Sequence, residues 1–243
     1  MSRIRIYGVE IDNVTQKEAV ARALEAGSVN VVFTPNALML DACRRDGELV
    51  SLLNRASLSL PDGMGVVWAA RRGGVPLKAR VAGIEFGEAL LERAAREGLR
   101  VFLLGGKAGV AARAATALRA RHEGLCVCGT HWGYFDRAGE DNRRLLAHIR
   151  ACRADILLVC MGFPVQEQWI AENLGALAGL RVVAGLGGSL DVWAGDVHRA
   201  PRAISRMGLE WAWRMACEPR RLRGLPALVR CALIPRQKTS KHL

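Results

Sequence analysis

Residues 155–170 read DILLVCMGFPVQEQWI, and the two halves of that stretch make different demands on the chain. DILLVC is a continuous apolar run of strand length rather than an alternating one, the pattern of a strand covered on both faces, as in a parallel sheet between two layers of helices. The second half places Gly162, Pro164, Gln166, Glu167 and Gln168 directly after that strand. A turn leading into the solvated first turn of a helix accounts for such a composition, and so does a polar site built at the mouth of the core. The rest of the chain decides between them.

Working outward, strand-like runs recur at VNVVF (29–33), SLSL (57–60), RVFLL (100–104), LCVCG (125–129) and RVVAG (181–185), with segments of helical period between them. Near the start, RIRIYGVEI (3–11) has the pattern of a β-hairpin, and TQKE sets Thr15 and Glu18 at the spacing of a capping box that opens a helix to about residue 26. The expected fold class is therefore α/β: a Rossmann-like, open, mostly parallel sheet with helices on both faces, a small N-terminal β-hairpin and a basic helical C-terminal appendage. Residues 1–198 are expected to form the Rossmann-like domain and to stand folded without residues 199–243.

Composition narrows the class. A chain of 243 residues with 51% hydrophobic content is long enough to bury one substantial core. It contains no run of about 18 apolar residues, and MSRIRIYGVEID lacks the apolar stretch of a signal peptide, so the chain is expected on the cytoplasmic side. The seven cysteines include no CxxC pair and sit mostly in apolar contexts, which predicts buried thiols with no disulfide and no zinc site. Charge is unevenly spread. Residues 199–243 hold eleven Lys or Arg against Glu210 and Glu218, whereas the preceding 198 residues hold 24 basic and 21 acidic residues. A nearly neutral body with a basic tail predicts an anionic partner. The tail interleaves Trp211, Trp213, Leu222, Leu225, Leu228, Leu233 and Ile234 with arginines, the composition of a helix lying in an anionic membrane interface. It carries no groove-reading or RNA-stacking motif, so nucleic acid is not the expected partner.

In an open parallel sheet, ligands bind outside the carboxyl ends of the strands. The loops at those ends read TPN (34–36), PDGMG (61–65), GGKAG (105–109), GTHWGYFD (129–136), MGFPVQEQ (161–168) and GLGGSLD (185–191). Each has an ordinary explanation in turn chemistry, helix capping or close packing. Together they set small residues, amides and a carboxylate on one rim, as a phosphate- and sugar-binding pocket would require. Gly105 and Gly106 open a loop before a helix, where backbone N–H groups can approach a phosphate. The loop is neither GxGxxG nor a Walker loop, and the next strand lacks the acidic residue of an NAD site. Nucleotide binding without NAD is the better inference.

FTPNALML, LPDGMGVVWAAR, RVAGIEFGEALLE, VFLLGGKAGVAARAA, GTHWGYFD, MGFPVQEQWI, GLGGSLDVWAGDVHRAPRA and EPRRLRG, in that order and across the chain, resemble the WecG/TagA/CpsF glycosyltransferases. The resemblance implies an inverting transfer of a sugar, most typically N-acetylmannosamine, from a UDP-sugar donor to N-acetylglucosamine on a polyprenyl diphosphate. It implies a place in cell-surface polysaccharide synthesis, on the inner face of the bacterial plasma membrane, and leaves glucose or a uronic acid open as the donor sugar. A homo-oligomer is also left open.

An inverting transfer needs a base to take the acceptor's proton. Asp62, at a strand end, is the candidate that both the residues and the resemblance indicate, with turn stabilisation as the alternative. By resemblance Thr34, Asn36, Arg80 and Gln166 belong to the pocket, Arg80 beside the diphosphate. Asn36 is equally placed to cap a helix. Glu167 serves either the sugar site or the helix dipole. The family's appendage is associated with arginines that complete the site, which makes Arg214 and Arg221 candidates, with lipid contact as the alternative. No DxD occurs and the five histidines are scattered, so no metal and no cofactor is expected, and leaving-group charge falls to arginines and helix N-termini.

Overall fold

The computed structural model describes residues 2–198, 200–201, 212–213, 224–233 and 239–242, the last four by their backbone. Two sheets organise them. The small one begins with β1 (Arg3–Ile6) and β2 (Val9–Asp12), an antiparallel hairpin whose two-residue turn, Tyr7 and Gly8, has φ of 49° and 86°. Positive φ at both turn positions matches the right-handed twist of the strands, and Gly8 accepts it without steric cost. The large sheet is built from β3 (Asn30–Phe33), β4 (Leu58–Ser59), β5 (Arg100–Gly105), β6 (Cys126–His131), β7 (Ile156–Cys160) and β8 (Val182–Gly185). Its order is β4-β3-β8-β7-β5-β6 and every pairing is parallel. All six strands expected from the sequence are present, within a residue or two of the expected ends.

The apolar run DILLVC supplies β7, which is buried at all five positions. Ile156, Leu158 and Cys160 face one core and Leu157 and Val159 the other. The first core is covered by α1 (Gln16–Ala23), α5 (Gly83–Glu97), α6 (Val110–Arg121) and α9 (Ser189–Trp193). The second is covered by α2 (Ala37–Cys43), α3 (Gly47–Leu53), α4 (Met64–Arg72), α7 (Glu140–Ala151) and α8 (Val165–Asn173). The capping box forms as read: Thr15 Oγ1 accepts from Glu18 N at 3.3 Å while Glu18 Oε2 accepts from Thr15 N at 2.7 Å. The helix stops at Ala23, three residues short of expectation.

The hairpin is bonded to the edge of the large sheet. Asp12, fully buried, accepts from Arg3 Nε at 3.1 Å, Arg22 Nη1 at 2.7 Å and the Ser59 N–H at 2.8 Å. Beyond residue 198 the pieces at 224–233 and 239–242 lie against the body. Helix α10 (Leu225–Ala232) rests on α2 and α4 through Ala227, Leu228 and Cys231. Gly65 is needed at this junction, because a Cβ there would lie 2.6 Å from Ala37 Cβ and 3.0 Å from Leu228 Cδ1. Arg230 grips both carboxylate oxygens of Asp41, Nε to Oδ1 at 2.6 Å and Nη2 to Oδ2 at 2.5 Å, and holds that carboxyl below the usual range. The strand β9 (Thr239–His242) pairs antiparallel with β1, extending the expected hairpin to three strands in the order β2-β1-β9.

Candidate active site

The chain leaves β5 into α6 on one face of the sheet and leaves the neighbouring β7 into α8 on the other. A crevice opens at the carboxyl ends of such a pair of strands. Along this rim the six loops are bonded to one another in sheet order. Asp62 N donates to Pro35 O at 3.0 Å, Thr34 Oγ1 to Gly185 O at 3.1 Å, Gly187 N to Gln166 Oε1 at 3.0 Å, Gly106 N to Cys160 O at 3.2 Å, and Gly133 N to Gly106 O at 2.9 Å. Six helices begin there, and only α2 has a capping side chain; α4, α6, α7, α8 and α9 have none. Uncapped amino ends gathered on one rim favour an anion.

Asp62 and Arg80 are brought side by side by backbone: Val81 N donates to Pro61 O at 3.0 Å, so each residue is the chain neighbour of one partner in that bond. Asp62 is half-buried at the mouth of β4. Arg80 Nη2 reaches both oxygens of Glu85, at 3.1 and 3.2 Å, which fixes the guanidinium against the first turn of α5. Thr34 is buried, and a Cβ added at Gly83 would lie 3.2 Å from its side chain. Asn36 caps α2, its Oδ1 accepting from Leu38 N at 3.0 Å and Met39 N at 3.2 Å, so any contact with a ligand falls to Nδ2.

The glycines of the β5 loop have a packing reason of their own. A Cβ on Gly105, where φ is 140°, would sit 2.2 Å from Cys160 O, and one on Gly106 would sit 2.7 Å from Val110. Gln166 is 3% exposed and its amide is internally engaged: Oε1 accepts from Gly162 N at 3.3 Å as well as from Gly187 N, and Nε2 donates to Glu167 Oε1 at 2.8 Å. Glu167 is fully enclosed, and burial holds its carboxyl above the usual range. An exposed glutamate serving only a helix dipole would not be treated so. Of the polar side chains after β7, Gln166 and Glu167 are turned into the rim, whereas Gln168 stands out in water. Trp169 anchors the same helix, fully buried, with Nε1 donating to Asn142 Oδ1 at 2.7 Å and an edge contact from Phe135 at 6.4 Å. Arg214 and Arg221 lie outside the described residues.

Two rim residues escaped individual notice in the sequence. Trp132 and Tyr134 flank Gly133 and are 43% and 67% exposed, while Gly133 itself is pinned to Gly106. Large aromatics held out in water beside a glycine loop offer a stacking face for a planar ring; the signal for them was the WGY triplet at a strand end. Among the described residues, no group of His, Cys, Asp and Glu is arranged to hold a metal ion.

The profile of the Glycosyl transferase WecG/TagA/CpsF family matches residues 4–241. Among the similar proteins are three from Staphylococcus aureus, strains MRSA252, NCTC 8325 / PS 47 and COL, each named N-acetylglucosaminyldiphosphoundecaprenol N-acetyl-beta-D-mannosaminyltransferase. Each is 31% identical over 232 residues, covering 93% of this chain and 89% of the relative. With the motifs on one rim and the match running nearly end to end, the chain belongs to the WecG/TagA/CpsF family of glycosyl transferases.

Proposed function

We propose that the protein is an inverting hexosyltransferase that moves N-acetylmannosamine from its UDP donor to N-acetylglucosamine carried on a polyprenyl diphosphate, in the synthesis of a cell-surface polysaccharide. The observation that carries this reading is the place of Asp62, a half-buried carboxylate on the rim of a chain whose relatives over 93% of its length are named mannosaminyltransferases. Asp62 takes the proton of the acceptor hydroxyl as that oxygen attacks the anomeric carbon, and the bond to UDP breaks on the opposite face. Charge gathering on the departing diphosphate meets Arg80 and the uncapped helix ends, with Arg214 and Arg221 proposed as further cations. Thr34, Asn36, Gly105, Gly106, Gln166 and Glu167 shape the pocket.

The acceptor's lipid places the reaction at a membrane surface, and we assign the protein a peripheral position on its inner face. No helix among the described residues is long and apolar enough to cross a membrane. In support of a surface position, Leu225 and Val229 on α10 and Leu233 at its C-cap, spaced by four, are 39%, 47% and 61% exposed on the side turned away from the body. An apolar stripe of that kind beside basic residues suits an interfacial helix.

The test is UDP release from a panel of UDP-sugars with a short-chain lipid diphosphate acceptor, with and without EDTA. UDP-N-acetylmannosamine should be the preferred donor and EDTA should leave the rate unchanged. A preference for UDP-glucose or a UDP-uronic acid would reassign the donor, and no acceptor-dependent release from any UDP-sugar would overturn the reading.

A further inference from the structure

Gln166 and Glu167 are adjacent in sequence, both buried, and hydrogen-bonded to each other. The pair has a definite polarity. A primary amide fits a hydrogen-bonding site in two orientations, with its oxygen and nitrogen exchanged, unless its partners distinguish them. The N–H groups of Gly162 and Gly187 both require the amide oxygen of Gln166, whereas the Glu167 carboxyl oxygen requires the amide nitrogen. The other Glu167 oxygen is buried with no hydrogen-bond partner among the described residues, and besides its own backbone N–H the group that favours a carboxylate there is the Gln166 amide. Gly162 follows β7 and Gly187 follows β8. Their φ values are +80° and +57°, and a Cβ at either would meet nothing within 4 Å. The amide therefore ties together two stretches of backbone whose outer sides face open space on the rim.

We propose that Glu167 is a positioning residue: as an acceptor, it locks the orientation of the Gln166 amide, so that the amide oxygen holds the loops after β7 and β8 at the separation that the donor nucleotide requires. The proposal rests on the reading of this rim as the donor site. Replacing Glu167 by glutamine removes the lock, because two neighbouring amides satisfy each other in either orientation and the Gln166 oxygen leaves the glycines part of the time. Replacing Gln166 by glutamate sets two carboxyls against each other. Making both changes restores the pattern, since a carboxylate at 166 accepts from both glycines and an amide at 167 donates to it.

The experiment compares the wild type with Glu167→Gln, Gln166→Glu and the double exchange, in the full chain. UDP affinity by calorimetry and the donor KM should each weaken about tenfold in the two single variants, the size expected from losing one or two net hydrogen bonds, while kcat changes little. The double exchange should recover most of that loss. Melting temperature separates the brace from a merely structural role, which would lower stability and kcat together in all three variants. Amide exchange at Gly162 and Gly187 supplies a reading without ligand: faster in both single variants, slow again in the double exchange. Unchanged exchange in folded Glu167→Gln, or a double exchange no better than the single variants, overturns the proposal. A wild type that binds no UDP overturns the donor-site reading instead, and the exchange measurement still decides whether the brace exists.

Discussion

Replacing Asp62 by asparagine removes the one property that the proposed chemistry needs from this residue and keeps its shape. Two hydrogen bonds that hold the loop, Asp62 N to Pro35 O and Val81 N to Pro61 O, run through backbone atoms and are kept in the variant. The side chain is half-buried at a strand end, where an isosteric change costs little, within about 1 kcal/mol. Loss of a general base lowers turnover by about 10² to 10⁴-fold, equivalent to about 2.7 to 5.4 kcal/mol on the barrier. The variant should therefore melt within about 4 °C of the wild type, bind UDP with unchanged affinity, and release UDP at least a hundredfold more slowly when the lipid acceptor is supplied. The assay is acceptor-dependent UDP release, with calorimetry for UDP binding and a thermal melt as controls. Turnover within tenfold of the wild type, in a variant that folds and binds UDP, refutes Asp62 as the base.

The buried thiols of Cys43, Cys160 and Cys231 should resist alkylation, because burial pushes the first two up to about 12 and Cys231 to about 11; mass spectrometry after native labelling at pH 8 should find these three unmodified and exposed Cys126 modified, and prompt labelling of Cys160 would contradict the packing of β7. Gly105→Ala should lower the melting temperature markedly or abolish folding, since its Cβ would sit 2.2 Å from Cys160 O and overpacking alone costs about 1–3 kcal/mol; a wild-type melt would refute the close approach of β5 and β7. Thr15→Ala should cost about 1 kcal/mol by loss of the capping box, read from denaturant unfolding. Glu18, brought to about 2 chiefly by its hydrogen bond to Lys78 and then by Thr15 N, contributes stability that is complete above the ordinary carboxylate pKa and lost as pH falls toward about 2. Thr15→Ala keeps the bond from the backbone N–H but removes the one from Thr15 Oγ1 to Glu18 Oε2, 3.1 Å, and with it part of that contribution, so its gap from the wild type should narrow over that acid range, and a gap that widens there would reverse the sign.

Much of this arrangement was written in local patterns. The β7 run announced a strand covered on both faces because each of its five residues is apolar, and Asn36 and Thr15 announced helix starts because a cap acts over three residues of sequence. What was not legible depends on partners far along the chain. The Gln166 amide looked available to a sugar, but its oxygen is claimed by Gly187, 21 residues on. Gly105 and Gly106 looked like phosphate-loop glycines, and the packing that requires them comes from Cys160 and Val110. Helix α10 read as amphipathic, yet which face would dock depended on Asp41, 189 residues earlier. The strand β9 has the sequence TSKH, with no apolar alternation, and is a strand because β1 presents backbone groups to it.

That last pairing changes what a truncation can show. With β9 in place, β1 is an interior strand, flanked by β2 on one side and β9 on the other. Removing residues 199–243 would turn β1 into an edge, leaving the N–H and C=O groups that it shares with β9 open to pairing with another molecule, the ordinary route to aggregation. The same cut would uncover the faces of α2 and α4 on which α10 lies. A shortened protein that failed on a lipid acceptor would thus report the loss of these contacts together with any loss at the membrane. The role of the basic segment is better read from substitutions on the outward side of α10, which leave the neighbour of β1 where it is.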